Sequence, residues 1–247
     1  MKPYWQSADG AITVYHARWE DVHAAGLVGE IDLTHADPPY GVRHDTRLRH
    51  RNGPARKSSL NGGTVRPRAV DFPPIVGDDR PFDPAGVLAF DRPTVLWGAN
   101  HFASRLPDSS SWILWDKRDG VESNNGADGE LAWSNLGGAL RIFRHVWSGL
   151  CRASENGGSG GSPKHLHPTQ KPVALSTYVF QRAKLKLGAR VFVPYLGSGP
   201  DLPAAQAMGL RVIACDVERW CCDTAIGRLG AITPEKAAEP VGPLFAR

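Results

Sequence analysis

Cysteine and methionine are scarce in this 247-residue chain, at four and two residues. The cysteines are Cys151, Cys215, Cys221 and Cys222, and no two of them form a C-x-x-C pair. Such spacing argues against a zinc ribbon and a disulfide framework and leaves reduced, partly buried small residues. The nine histidines are scattered without H-E-x-x-H spacing, so no metal is expected. No apolar run approaches the ~18 residues of a membrane span, so no membrane partner is expected. The N-terminus, MKPYWQSADG, has no apolar core for a signal peptide, which makes the cytoplasm the expected compartment. Internal repeats are also lacking. What remains is a globular composition, 41% hydrophobic, in a length that fits one domain with a proper core.

Charge is present but unevenly placed. The formal net charge is +4. Residues 42–68, VRHDTRLRHRNGPARKSSLNGGTVRPR, hold eight Arg/Lys against one Asp, so the rest of the chain is about −3. A basic, Gly/Pro-interrupted segment on a near-neutral body suits a nucleic-acid contact. A solvated loop explains the charge equally well; the position of this one, directly after D-P-P-Y-G, favours nucleic acid.

The apolar pattern predicts strands at AITVYHA (11–17), 31–35, TVLWGAN (94–100), SWILWDK (111–117) and 140–147, with helices at 21–28 and from FDPAGVLAF. The basic segment and the DFPPIVGDDRPFDP after it read as one long loop. ENGGSGGSPK (155–164) has linker composition. Val173, Leu175, Val179, Phe180, Ala183 and Leu187 follow helical spacing, with Gly188 as the expected C-cap. ARVFVPYLGSGPDLPAAQAMGLRVIACDVE then reads as strand, glycine turn, helix, strand.

Three short stretches carry the chemistry. In IDLTHADPPYGVRHD a β-prone run stops at Asp37 and is followed by Pro38, Pro39, Tyr40 and Gly41. This is either a sharp loop with a capping Asp or a rigid cup for a planar substrate. In VFVPYLGSGPD, Gly197 and Gly199 form a turn, and Asp216 ends the next strand 17 residues beyond Gly199. Small residues let backbone amides approach a ligand, and an acid at such a distance can accept from ribose hydroxyls. A tight βα turn without ligand fits the glycines alone as well. HPTQKP, residues 167–172, is by itself a helix-entry turn.

Taken in order, D-P-P-Y at a strand end, H-P-T-Q-K-P, the Y-L-G-S-G turn and the acid at the next strand end resemble the β class of amino-group DNA methyltransferases. TVLWGANHF, SWILWDKRDG and GELAWSN look like that family's intermediate motifs, and the resemblance covers nearly the whole chain. It implies a Rossmann-like three-layer α/β sandwich with a mixed, mostly parallel sheet and helices on both faces. It also implies a single methyltransferase domain over 1–247. Residues 1–150 would form the catalytic half, with the basic loop 42–68. Residues 151–166 would be a short flexible segment where relatives carry a large target-recognition region. The cofactor half would be 167–230 and the tail 231–247.

The implied activity is methyl transfer from S-adenosylmethionine to N6 of adenine in double-stranded DNA, as in restriction-modification. Cytosine-N4 methylation, an impaired DNA-binding homologue, and RNA or a protein glutamine as acceptor are the alternatives; a homodimer is left open. Asp37 and the Pro38 carbonyl would accept the amino hydrogens, Pro39 would hold the backbone, and Tyr40 would stack on a base flipped from the duplex. Thr169, Gln170 and Lys171 would lie near the cofactor's methionine end. Pro194, Tyr195, Gly197, Ser198 and Gly199 would line it, Asp216 would hold the ribose and Val217 would flank the adenine. Arg43, Arg47, Arg49 and Arg51 would contact DNA phosphates. One departure stands out. Val193 occupies a position where the family usually has an acid for the cofactor's α-amino group; Asp201 and Asp37 are the candidate substitutes.

Overall fold

A computed structural model describes residues 1–47, 56–57, 64–65, 71–120, 127–148, 151–155 and 165–229. The chain order is β1 (Trp5–Gln6), β2 (Ile12–His16), α1 (Trp19–Ala24), β3 (Leu33–Ala36), β4 (Arg56–Lys57), β5 (Thr64–Val65), α2 (Ala85–Leu88), β6 (Thr94–Trp97), β7 (Trp112–Asp116), β8 (Gly129–Ser134), β9 (Arg141–Arg144), β10 (Trp147–Ser148), β11 (Cys151–Arg152), α3 (Val173–Arg182), β12 (Arg190–Val193), α4 (Asp201–Ala207), β13 (Arg211–Asp216) and α5 (Arg219–Leu229).

Nine strands form one sheet in the order β1-β2-β13-β12-β3-β6-β8-β7-β9. The centre, β2-β13-β12-β3-β6, is parallel throughout, whereas β8 runs antiparallel to both β6 and β7. Central parallel strands are covered on both faces and need continuous apolar runs, which is what RVFV supplies in β12.

Side-chain alternation divides the core into layers. Val191 and Val193 join Val179, Phe180, Leu202 and Cys222 on the face covered by α3, α4 and α5. Phe192, between them, points the other way and joins Tyr15, Val22 and Cys215 beneath α1. Leu96 likewise turns toward Val87 of α2, while Val95 and Trp97 face the larger cluster. Helices therefore cover both faces, as expected. The free cysteines Cys215, Cys221 and Cys222 are buried.

Several expected boundaries move. The first helix is Trp19–Ala24, not 21–28. The strand at 140–147 divides into β9 and the short β10, which pairs antiparallel with β11. The basic segment is not simply a loop, because β4 pairs with β5. GELAWSN supplies a sheet strand, β8, that its pattern did not announce.

The largest change is in α3, which stops at Arg182 with Ala183 as its C-cap. Lys184 takes the left-handed conformation (φ 55°). Its N–H reaches the Gln181 carbonyl, and the Leu185 N–H reaches Phe180. These are the two bonds of a Schellman ending, made with Lys where Gly is usual. Leu187 is consequently 86% exposed, and Gly188 bonds to Gly209 rather than capping a helix. At its other end, α3 has Pro172 as N-cap without a side-chain cap. The Val173 N–H finds the Glu155 carboxylate at 2.7 Å instead, a charge of the favourable sign for a helix start.

Candidate active site

Register alone brings the three chemical stretches together. β12 runs parallel to β3, pairing Val191 with Leu33 and Phe192 with Thr34, so Tyr195 and Asp37 follow the two strands at the same end of the sheet. β13 pairs Ala214 with Val193, and beyond that pair the Leu196 N–H reaches the Cys215 carbonyl, so Asp216 lies at the same end of the sheet. Three neighbouring parallel strands thus carry Asp37, Tyr195 and Asp216 at their carboxyl ends, the first two just beyond β3 and β12. Chain order reverses between β3 and β12, the place where open α/β sheets open a crevice at their carboxyl ends.

On the β3 side the groups are charged and mutually bonded. Lys171 donates to Asp37 Oδ2 at 2.6 Å and to the Tyr40 hydroxyl at 3.0 Å. Tyr40 donates to Asp37 Oδ1 at 2.7 Å. Glu130, which no sequence motif singled out, accepts from Lys171 at 3.1 Å and from Lys117. Burial alone would raise the Glu130 carboxyl, but Lys171 and Lys117 more than offset it and bring it down to about 2. Burial likewise works against the Lys171 ammonium; Asp37 and Glu130 outweigh it and hold Lys171 above its ordinary value. The Tyr40 phenol is pushed well up by burial and then by the same two carboxylates, so it stays protonated.

Two further features hold this cluster. The Tyr40 ring stacks on His101 (5.2 Å between centroids, 19°) and lies hard against Gly98, where an added Cβ would sit 2.1 Å from Tyr40 Cε1. Only glycine fits there, and its φ of 70° makes the same demand. Buried Asp78 then accepts the backbone N–H groups of Gly41, Val42 and His44 at 2.6–3.1 Å. One carboxylate thereby fixes the chain leaving D-P-P-Y. Exposed Arg43 sits on this turn with φ 53°. Arg47 is exposed and paired with Asp45, and Arg49 and Arg51 lie outside the described residues.

On the β12 side the site is built from backbone and aromatic groups. Asp216 accepts from Gly197 N–H at 2.8 Å and Glu218 N–H at 2.9 Å. Burial raises its carboxyl, and these two amides only partly oppose the rise. Tyr195 accepts from Trp19 Nε1 at 2.9 Å. His167 and Trp220 stack (5.1 Å, 19°), and Phe72 stacks on Trp220 in turn. Burial, then Lys171 and Arg228, lower His167 to about 4, so the ring is neutral. Val217 is 41% exposed beside Asp216. Pro194 and Ser198 are buried, Thr169 is exposed, and Gln170 is spent on the Leu166 N–H and, through its carbonyl, on Trp147.

Buried Arg228 joins the pieces: it donates to the Ser198 carbonyl at 2.9 Å and to Glu155 at 2.7 Å, the carboxylate that also caps α3.

The two substitutes considered for the missing acid are both engaged. Val193 is in the core, 1% exposed. Asp201 is buried and bonded to His35 Nδ1 at 2.5 Å. Trp97 Nε1, which can only donate, occupies His35 Nε2 at 2.8 Å. His35 therefore carries its proton on Nδ1 and gives that hydrogen bond to Asp201. Asp37 is held by Lys171 and Tyr40.

Among the described residues no group of three or more His, Cys, Asp or Glu side chains could hold a metal, and no helix is long and apolar enough to cross a membrane.

No family model matches the chain. Among solved structures, it is 12% identical to the PvuII DNA methyltransferase (cytosine-N4-specific), with TM-score 0.52 over 96% of this chain and 92% of that one. M1.HpyAVI in complex with SAM is 18% identical, with TM-score 0.46 over 88% of this chain and 100% of that one. The Thermus thermophilus protein TTHA0409 is 14% identical, with TM-score 0.48 over 88% and 94%. The chain shares the α/β, Rossmann-like fold of the PvuII enzyme.

Proposed function

We propose that the chain is an S-adenosylmethionine-dependent DNA methyltransferase acting on N6 of adenine, with 1–247 working as one domain. The observation that carries this reading is that Asp37, Tyr195 and Asp216 lie together at the carboxyl ends of three adjacent parallel strands. A base-side acceptor and a nucleoside-side acceptor then face one crevice. The sequence resemblance and the shared fold support the same reading.

The residues fit the cofactor. A Cβ at Gly197 would have nothing nearer than His167, at 3.9 Å, which leaves space on that side of Gly197, whereas at Gly199 a Cβ would lie 2.3 Å from Ala225. The Asp216 carboxylate keeps lone pairs for ribose hydroxyls after accepting two backbone bonds. The exposed Val217 and the His167–Trp220 stack offer apolar surface for an adenine ring. When bound, S-adenosylmethionine supplies an electrophilic methyl group on a sulfonium.

The chain's own part is to make an aromatic amine nucleophilic. Its lone pair is delocalised into the ring, so it must be drawn out of conjugation. Asp37 and the Pro38 carbonyl accept its two hydrogens and favour a tetrahedral nitrogen. Lys171 and Tyr40 hold the Asp37 carboxylate in one orientation before substrate arrives, so little reorganisation remains. Stacking of Tyr40 with the base requires the His101 ring to share or leave that surface. Exposed Arg43 and Arg47, with Arg49 and Arg51 beyond them in sequence, would neutralise phosphates and give salt-sensitive affinity.

Cytosine-N4 is the second reading, favoured by the fold shared with the cytosine-N4-specific PvuII enzyme. Treating DNA with the protein and cofactor, digesting it to nucleosides and weighing them separates the two. N6-methyl-2′-deoxyadenosine is expected; N4-methyl-2′-deoxycytidine alone would transfer the reading to cytosine, and no methylated base would overturn both.

A further inference from the structure

We propose that Glu130 is a positioning residue of this site: from β8, it holds the Lys171 ammonium on Asp37 and keeps that ammonium charged. The proposal deepens the reading above and rests on it for its bearing on methyl transfer, though not for the charge coupling itself.

Lys171 is 6% exposed and has three N–H bonds to place. They go to Asp37 at 2.6 Å, Tyr40 at 3.0 Å and Glu130 at 3.1 Å, which uses all three. Asp37 and Tyr40 come from the loop after β3, and Glu130 comes from a strand two places away in the sheet. Glu130 is also 3.2 Å from the Tyr40 hydroxyl. That hydroxyl has one proton, and the shorter bond is to Asp37 at 2.7 Å.

The charges balance within the cluster. Asp37 and Glu130 are the anions; Lys171 and, on the far side of Glu130, Lys117 are the cations. His167 faces Lys171 from its own segment as a neutral ring, and Arg228 of α5 reaches only its backbone carbonyl, at 3.5 Å. Asp37 by itself could stabilise one buried ammonium, but the bond would then bind the acceptor lone pairs more tightly. Sharing Lys171 between two carboxylates leaves Asp37 oriented and still able to accept from a substrate amine.

The test follows the charge of Lys171 directly. In the full-length protein with ¹³C-labelled lysine, the Lys171 Cε resonance, assigned by its loss in Lys171→Met, is titrated in the wild type and in Glu130→Gln. The wild-type signal is expected to stay in its ammonium position beyond about pH 10.5, the ordinary lysine value. In Glu130→Gln the midpoint should fall by about one pH unit or more, because a buried ammonium has lost one of two anions. An unchanged midpoint in folded Glu130→Gln overturns the proposal.

If Glu130→Gln does not fold, Lys117→Met decides. It leaves Glu130 to Lys171 alone, so the Lys171 midpoint should hold or rise, and a fall overturns the proposal. With DNA and cofactor, Glu130→Gln should lower kcat, leave the cofactor KM within about twofold and add an alkaline falling limb to the pH profile. Should the wild type transfer no methyl group, the functional reading fails while the titration still decides the role of Glu130.

Discussion

The two sides of the crevice are built on opposite principles. Around Asp37 the chain concentrates ionised side chains and cancels them against one another: two carboxylates, two ammonium groups and a tyrosine within hydrogen-bond reach. Around Asp216 it places backbone amides, a neutral histidine and stacked rings, with Val193 where the family it resembles usually has an acid. On the proposed reading, charge stands where a proton-bearing nitrogen would be reshaped, and neutral, shape-defining surface stands where a cofactor would be held.

Substitutions should therefore act differently on the two sides. The largest effect is expected from Asp37→Ala: methyl transfer should fall by about 10³-fold, as for loss of a preorganised transition-state group. Cofactor binding by calorimetry should stay within a few-fold. Gly98→Ala comes next. Its Cβ would lie 2.1 Å from the Tyr40 ring, so the ring must tilt off Asp37. Turnover should drop about 10- to 100-fold, and stability by about 1–3 kcal/mol, read from thermal unfolding.

On the other side, Asp216→Asn should weaken cofactor binding about 10- to 100-fold, the worth of a charge-assisted hydrogen bond. With saturating cofactor, kcat should be nearly unchanged. If Asp216→Asn instead lowered kcat as much as Asp37→Ala, the division between the two sides would be wrong.

His167 gives a pH signature for the neutral side. Its folded value, about 4, lies below the ordinary 6.5. Protonation thus favours the unfolded chain. The His167 contribution is intact above about pH 6.5 and is lost as pH falls from there toward 4, by roughly 3 kcal/mol in all. Denaturant unfolding of His167→Gln should show a flatter slope across that window. The smallest effect is expected from Arg43→Ala with Arg47→Ala. DNA affinity should fall a few-fold, with the log–log salt slope reduced by about one for each phosphate no longer neutralised.

How much of this the sequence displayed depends on how local each signal is. D-P-P-Y and the glycine turn are self-contained, since the residues proposed for the chemistry sit next to those that shape the chain. Asp216 was legible because a βαβ unit fixes where the next strand ends. Glu130 was not, since it acts across two strands; its one trace was a carboxylate opening the otherwise apolar ELAW of β8. Gly98 was hidden for the same reason, its partner Tyr40 being distant in sequence. The α3 boundary was overrun because apolar spacing continues to Leu187, and Lys184 gives no glycine signal for a left-handed turn. Asp201 could be weighed as a partner for a cofactor amine only until the structure revealed His35, engaged on its other side by Trp97.

The most direct measurement is nucleoside mass spectrometry on unmethylated DNA incubated with deuteromethyl-labelled S-adenosylmethionine, run with wild-type protein and with Asp37→Ala. The expected result is labelled N6-methyl-2′-deoxyadenosine with the wild type and essentially none with Asp37→Ala. Label absent from both, or equal in both, would contradict the assignment of methyl transfer to the Asp37 site.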